Sequence, residues 1–190
     1  MLCSSTFLTL DGVMSDPHVF HPPYASDESV AMLDEQAAAA DAMLVGRRTY
    51  DEFAQYWPYQ DDSVPLAART NALPKFVATH RTDALTWGDA TAVDDLGALA
   101  ARLRDEGRLV MVPGSATVVQ ALLAAGLLDE LRIVLDPTLA GSGRRLFADG
   151  GPPVALALVE RRALPNDVQY LVYRPTTPPA PVPVPGLTDA

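Results

Sequence analysis

The chain alternates short apolar segments with amphipathic helical segments, and this alternation constrains its fold more than any single motif does. Apolar segments at 2–10, 42–45 and 109–112 have the length of strands, and a turn or a glycine separates each from a helical pattern. The last two segments, 154–164 and 168–173, are joined by a three-residue turn sequence and predict a hairpin. The pattern predicts a three-layer α/β/α domain with a mixed, mostly parallel sheet and an antiparallel C-terminal hairpin.

The first long helix has a clear start signal and a periodic apolar face. Ser26 precedes two acidic residues and is suited to cap this helix, which the pattern extends to about residue 40. Two later amphipathic helices are ended by glycines. The expected buried face of the first long helix consists of Val30, Leu33, Ala37 and Ala40.

The composition changes after Arg174, where Pro, Thr and Val predominate. We expect residues 1–174 to form one folded domain and residues 175–190 to form a flexible, Pro-rich tail. A chain of 190 residues is long enough for such a domain to bury roughly two-thirds of its unfolded surface.

The charge balance argues against two classes of partner. The formal net charge is −10, from 14 basic and 24 acidic residues. An acidic surface repels nucleic-acid phosphates and anionic lipids, so we expect neither nucleic acid nor a membrane as a partner. Arginines that cluster against this background are informative, since they indicate a local anion site.

The single cysteine, Cys3, excludes an internal disulfide and a cysteine-based metal site, and its apolar neighbours favour a place in the core. No third ligand stands near His18 and His21, so no metal site is predicted. No apolar stretch reaches membrane-spanning length and no secretory signal pattern begins the chain, which together predict a cytoplasmic protein.

Two junctions repeat one arrangement, in which an apolar strand is followed by a glycine and then by the first turn of a helix. They are Val45-Gly46-Arg47 and Val112-Pro113-Gly114-Ser115. Backbone N–H groups at such helix N-termini bind phosphate, and glycine allows a ligand to approach closely. The alternative is that each glycine only makes the turn.

Two arginine pairs lie at or beside glycine turns. Arg47 and Arg48 stand in the first turn of a helix, where cations are disfavoured, so they either face an anion or pair with Asp51 and Glu52. Arg144 and Arg145 follow the glycine loop 141–143 and raise the same question.

Two more candidates follow strands. Thr79, His80 and Arg81 end the strand that begins at Lys75, and they either hold a phosphate or form ordinary surface. Asp11 follows the first strand, at the edge where ligands of open α/β sheets bind.

The order of these motifs resembles that of a known superfamily. The blocks Val45-Gly46-Arg47-Arg48-Thr49-Tyr50, Tyr56-Trp57-Pro58, Pro113-Gly114-Ser115 and Gly141-Ser142-Gly143-Arg144-Arg145 are similar to those of dihydrofolate-reductase-like proteins. Within that superfamily the chain resembles stand-alone relatives of the reductase domain of bacterial riboflavin biosynthesis, the RibD C-terminal-like branch. The likeness extends over nearly all of residues 2–173.

The resemblance implies an NADPH site and a small-molecule substrate. It implies that the Gly46 turn meets cofactor phosphates, that the Gly114 turn cradles the pyrophosphate, and that Thr79 with Arg47 or Arg81 lies near the adenosine 2′-phosphate. The implied cofactor residues are Gly46, Arg47, Arg48, Thr49, Thr79, Arg81, Gly114, Ser115 and Ala116. The implied substrate residues are Asp11, Gly141, Gly143 and Arg144, and Asp11 is also the implied catalytic group.

The resulting expectation is NADPH-dependent hydride transfer to a C=N or C=O group of a heterocyclic, pterin- or pyrimidine-like substrate. One alternative is a non-catalytic nucleotide-binding module of the same fold. Another is an enzyme that acts on a phosphosugar or nucleotide through Arg144 and Arg145 without nicotinamide. The C-terminal hairpin also supplies an edge through which a homodimer could form.

Overall fold

All eight strands of the chain join one mixed sheet in the computed structural model, which describes residues 1–61, 63–81, 83–147 and 150–178. The strand order is β4-β3-β2-β5-β1-β6-β8-β7, and every pair from β4 to β6 is parallel, whereas β8 is antiparallel to both of its neighbours. The predicted mostly parallel sheet with an antiparallel C-terminal hairpin is therefore confirmed. The strands are β1 (Leu2–Thr9), β2 (Ala42–Gly46), β3 (Lys75–Ala78), β4 (Ala90–Val93), β5 (Val110–Gly114), β6 (Glu130–Asp136), β7 (Ala155–Ala163) and β8 (Gln169–Thr176).

Helices cover both faces of this sheet, as predicted. Because successive strand residues point to opposite faces, Leu44 packs in the core beneath α5 and α6, whereas Met43 and Val45 pack against Tyr50 of α3. A third apolar cluster joins α2 to β6 and β8. The helices are α1 (Pro17–Phe20), α2 (Asp27–Ala39), α3 (Arg47–Ala54), α4 (Ala67–Ala72), α5 (Leu96–Asp105) and α6 (Ala116–Ala124).

The predicted buried face of α2 is confirmed at Ala37, whereas Val30, Leu33 and Ala40 are only half-buried, so the buried face is rotated by about one residue from the predicted one. Ser26 caps the helix as predicted, but the fully buried residues are Ser29, Met32 and Ala37. The rotation follows from Gln36, which accepts a hydrogen bond from Ser5 Oγ and donates one to Tyr170 Oη. A hydrophobic pattern cannot reveal a polar side chain that faces the sheet to satisfy polar groups there.

Three short elements lie where the sequence pattern indicates no helix or strand. They are α1 between residues 15 and 25, α4, and the edge strand β4, which pairs in parallel with β3. Each is too short and too polar or small in composition for its periodicity to be recognised. Among the helices that the structure describes, none combines the length and the apolar character needed to cross a membrane.

The C-terminal strand continues slightly beyond the predicted domain boundary. Pro175 and Thr176 belong to β8, where they pair with β7 after the last pairing with β6 at Tyr173. Proline fits there because its missing N–H faces no second neighbouring strand. Residues 179–190 of the predicted tail lie outside the described residues.

Candidate functional site

The two strand–glycine–helix junctions meet at the carboxyl edge of the sheet. A β-carbon at Gly46 would lie 2.3 Å from Ser115 Oγ, and one at Gly114 would lie 3.2 Å from Thr49 Oγ1. Among the described residues, neither α3 nor α6 has a side-chain hydrogen bond at its N-cap. In α6 the Val118 N–H donates to the Ser115 carbonyl, and the earlier N–H groups are left for a ligand or water. The geometry therefore places two helix N-termini side by side, with glycine needed for the close approach.

A cleft of about 230 Å³ opens beside these junctions. Its walls come from β1, from the segment that follows it, from α3 and from the start of α6. Five of the residues predicted to bind cofactor or substrate line this cleft: Arg48, Thr49, Ser115, Ala116 and Arg144.

Aromatic and apolar residues of the cleft were not predicted as site residues. Phe7 projects from β1, while Phe53 and Trp57 come from α3 and the 3₁₀ turn after it. Phe53 and Trp57 pack edge to face with ring centroids 6.2 Å apart. In the sequence these two residues lie on an apolar helix face, and such a face is equally typical of residues buried in the core.

Phe53 and Trp57 form an aromatic wall of the cleft, and a polar network supports this wall. Trp87 N donates a 2.6 Å hydrogen bond to Tyr50 Oη, and Trp87 Nε1 donates to Asn71 Oδ1. Asn71 Nδ2 in turn donates to the carbonyl of Trp57. These bonds fix the wall in position because each buried polar atom involved has a partner.

Arg47, Thr79 and Arg81 come together outside the cleft, where both arginines have acidic partners. Arg47 Nε donates to Asp51 Oδ1 at 2.8 Å, and its other nitrogens contact Asp83. Arg81 Nε and Nη2 donate to the two Asp83 carboxylate oxygens at 2.9 and 2.8 Å. The Thr79 hydroxyl accepts from the Arg81 backbone N–H. The alternative of helix ion pairing for Arg47 is thus observed, together with a second acidic partner from outside the helix.

Arg48 also forms the helix ion pair that the sequence left open. Its Nε donates to Glu52 Oε1 at 2.8 Å, and both side chains are more than half exposed. Both residues line the cleft, so the pair contributes one cation and one anion to its rim. An exposed pair of this kind is weak and exchangeable.

Asp11 occupies a different environment from the one the resemblance implies. Its carboxylate accepts hydrogen bonds from Thr9 Oγ1 and from the N–H groups of Ala140 and Gly141, at 2.6, 3.0 and 2.8 Å. The hydrogen bonds from Thr9 and Ala140 lower the pKa of Asp11 to about 2. Asp11 lies outside the set of described residues that line the cleft, and its carboxylate anchors the 138–143 loop.

The glycine loop stands over the segment that follows β1. Val13 forms a β-bridge with Arg145, and Met14 N donates to the Arg144 carbonyl. A β-carbon at Gly143 would lie 2.6 Å from Val13 Cγ1, so glycine permits this contact. Gly141 binds Asp11 and Gly143 borders a neighbouring depression, whereas Arg144 alone of the three reaches the cleft.

His21 and Asp136 form a largely buried pair at the end of β6, the strand next to β1. Asp136 ends β6 with its side chain fully buried, and both of its oxygens lie 3.1 Å from His21 Nδ1. The His21 ring packs on Phe7 with centroids 4.0 Å apart, which ties α1 to the strand that lines the cleft. Among the described residues, no group of three or more His, Cys, Asp or Glu could hold a metal ion.

Comparison with known proteins defines the family. The sequence matches the RibD C-terminal domain family over residues 1–170. The chain belongs to this family. Among curated proteins, the uncharacterized protein YyaP of Bacillus subtilis (strain 168) is 27% identical over 138 residues, which make up 70% of this chain and 73% of YyaP.

Solved structures share the fold of this RibD C-terminal domain. A pyrimidine reductase-like protein of Corynebacterium diphtheriae has a TM-score of 0.65 at 14% identity, covering 93% of this chain and 92% of its own. The riboflavin biosynthesis reductase Rib7 of Saccharomyces cerevisiae has a TM-score of 0.60 at 19% identity, covering 93% and 90%. Dihydrofolate reductase of Enterococcus faecalis, complexed with NADP(H), has a TM-score of 0.62 at 14% identity, covering 93% and 97%. The fold is therefore dihydrofolate-reductase-like.

Proposed function

We propose that this RibD C-terminal domain is an NADPH-dependent reductase that transfers a hydride to a C=N or C=O group of a small pterin- or pyrimidine-like substrate. The observation that carries the proposal is the meeting of the Gly46 and Gly114 junctions at the cleft. Family membership and the structural neighbours, which include a riboflavin biosynthesis reductase and a dihydrofolate reductase complexed with NADP(H), support the same class of reaction.

The residues at the junctions fit a dinucleotide. The backbone at Gly46 has no room for a β-carbon, so a side chain there would force the two helix starts apart. The uncapped N-termini of α3 and α6 offer N–H donors with favourable dipoles for phosphate. The Ser115 and Thr117 hydroxyls, hydrogen-bonded to each other at 2.8 Å, leave one O–H beside them as a further donor.

The chain's own residues would bind and orient both ligands. Thr49, Ser115 and Ala116 would hold the phosphates and the adjoining part of NADPH, which supplies the hydride when bound. The aromatic wall of Phe53 and Trp57 would exclude water and stack against a flat ring.

The charges at the rim of the cleft suit a heterocycle with polar edges. The rim carries two cationic and two anionic side chains, namely Arg48, Arg144, Asp16 and Glu52. Hydrogen-bond donors and acceptors therefore surround an apolar floor. Amide and amino groups of a pyrimidine or pterin would find hydrogen-bonding partners at this rim. Asp11 serves this arrangement by positioning the loop that carries Arg144.

The test is steady-state oxidation of NADPH in the presence of a panel of pterins, pyrimidines and flavin precursors. Turnover of at least one heterocycle supports the proposal. Phe53→Leu is expected to raise KM for that substrate several-fold, because it removes a stacking surface. Tyr59→Leu, which changes an aromatic residue that is 79% exposed outside the cleft, should leave KM unchanged.

The panel also separates the proposal from a binding module. Tight NADPH binding without oxidation over the whole panel would favour a non-catalytic nucleotide-binding protein of this fold. If phosphorylated sugars stabilise the folded protein and NADPH does not, both the reductase proposal and the nucleotide-binding alternative are contradicted, because the anion site then binds another ligand.

A further inference from the structure

A compact cluster of two arginines and two aspartates lies beyond the cleft, at the carboxyl ends of β2 and β3. Arg47 and Arg81 both donate to the Asp83 carboxylate, and both also donate to Asp51. The two guanidinium groups therefore converge on one position, and the carboxylate of Asp83 fills it. A carboxylate held between two guanidinium groups stands where a phosphate monoester would also be bound.

The place of this cluster in the fold connects it to the proposed cofactor. Arg47 and Arg48 are adjacent in the first turn of α3; Arg48 lines the cleft, whereas Arg47 faces Asp83. Three strand spacings separate β1, at the cleft, from β3, which Arg81 follows. At about 4.8 Å per spacing they amount to about 14 Å, so one ligand that reaches both places must be elongated.

The charges of the cluster cancel. Two arginines against two aspartates leave no net positive charge, in a chain whose formal charge is −10. Burial raises the pKa of Asp83, but the hydrogen bond from Arg81 and the charges of Arg47 and Arg81 outweigh it and leave the pKa below its ordinary value. Asp83 is therefore an anion at neutral pH, and a second anion would have to compete with it.

Competition is feasible because most of the cluster is open to solvent. The side chain of Arg81 is 58% exposed and that of Asp83 is 47% exposed. Ion pairs between exposed groups are weak, so a phosphate with more charge and more acceptor oxygens can displace the carboxylate. Arg47, at 12% exposure, remains fixed by Asp51 during such an exchange.

We propose that Asp83 competes with the 2′-phosphate of NADPH for the site formed by Arg47 and Arg81, and so lowers the preference of this protein for NADPH over NADH. The inference rests on the proposed function, since it assumes that a nicotinamide dinucleotide binds along this edge. An acidic side chain near the ribose favours the unphosphorylated dinucleotide, whereas an arginine favours the phosphorylated one. Here both are present and paired with each other.

The experiment measures dissociation constants of NADPH, NADH, 2′,5′-ADP and 5′-AMP for the full chain and for Asp83→Asn. The last two ligands differ only in the 2′-phosphate and need no reductase chemistry. Removing one negative charge at the contact should tighten NADPH and 2′,5′-ADP by about tenfold. Binding of NADH and 5′-AMP should change less than about twofold, within the error of such assays.

Two further variants make the result specific. Asp34→Asn removes a comparably exposed aspartate, at 39% against 47% for Asp83, that pairs with Arg69 at 2.9 Å elsewhere on the surface, and it should change none of the four constants. Arg81→Gln in the Asp83→Asn background should weaken NADPH and 2′,5′-ADP while leaving NADH unaffected. This second variant tests the arginine directly in a protein that no longer carries the competitor.

The outcomes separate the inference from the proposed function. If all four ligands bind and Asp83→Asn leaves the NADPH-to-NADH ratio unchanged, the inference is overturned and the proposed function stands. If neither dinucleotide binds to any of the proteins, the proposed function falls and the inference falls with it. A selective gain for the 2′-phosphorylated ligands, lost again with Arg81→Gln, supports the inference.

Discussion

Gly46 and Ser115 lie in direct contact across two helix starts, so that a β-carbon on Gly46 would fall 2.3 Å from Ser115 Oγ. The contact joins β2 to β5 at the edge of the sheet where the cleft opens. Strand pairing and the geometry that we propose binds phosphate therefore depend on the same glycine.

Gly46→Ala should destabilise the protein by about 1–3 kcal/mol, the usual cost of forcing extra atoms into a packed site. It should also weaken NADPH binding, because the first turns of α3 and α6 must separate. Urea unfolding and equilibrium titration measure the two effects.

Gly97→Ala is the matched control for this substitution. Gly97 lies in the first turn of α5, and a β-carbon there would lie 3.3 Å from Asp95 Oδ1, which caps the helix by accepting a hydrogen bond from Ala98 N. This change should alter stability by less than about 1 kcal/mol, since alanine favours helix and the Asp95 side chain needs to move only slightly. The Gly46→Ala, Ser115→Ala double variant should recover part of the loss; no recovery would mean that the Gly46–Ser115 contact is not the cause.

Asp11→Asn should loosen the 138–143 loop. An amide offers one acceptor oxygen where the carboxylate serves Thr9 Oγ1 and two backbone N–H groups, so at least one of them loses its partner. We expect lower stability at neutral pH and faster amide exchange at Ala140 and Gly141. The catalytic role implied by the sequence predicts a different pattern, in which turnover falls far more than NADPH affinity or stability.

The pH dependence of Asp11 has a definite sign. The pKa of Asp11 is depressed from 3.8 to about 2 in the folded protein, so its stabilising contribution is complete above 3.8 and is lost as the pH falls towards 2. The stability difference between wild type and Asp11→Asn should shrink over that interval. A difference that stays constant across it would contradict the anchoring role.

Much of this site follows from the sequence because its key positions are backbone features. Gly46 and Gly114 end strands that apolar runs make recognisable, and the parallel sheet brings those strand ends together. No comparable sequence pattern indicates which side chains pair when they are far apart in the chain. Nothing near Arg47 in the sequence indicates Asp83, which is 36 residues away, and nothing near Ser5 indicates Gln36.

Lys75, the only lysine in the chain, is a further feature that pattern reasoning could not place. It is 1% exposed, donates to the carbonyls of Asn71 and Leu73, and its ammonium lies 4.2 Å from the centroid of the Trp87 ring. Burial lowers its pKa from 10.5 to about 8. The buried side chain therefore supports the same aromatic wall that borders the cleft.

Lys75→Met should reveal this shift as a pH-dependent stability difference. Between pH 8 and 10.5 the unfolded wild-type chain binds more protons than the folded one, so wild-type stability rises with pH relative to the variant. The full change corresponds to about 3 kcal/mol. Chemical unfolding of both proteins across this range measures it, and parallel pH profiles would show that Lys75 titrates normally.

The most direct test of the account is thermal unfolding of the full chain with NADPH, NADH and no ligand. A ligand at about a hundredfold excess over Kd that binds only the folded state adds roughly 2.7 kcal/mol, which raises the Tm of a domain of this size by about 5–10 °C. We predict such a rise with NADPH, because under the proposed function the paired helix starts at Gly46 and Gly114 would bind its phosphates. An unchanged Tm with every nicotinamide dinucleotide, at concentrations that stabilise ordinary reductases, would contradict the account.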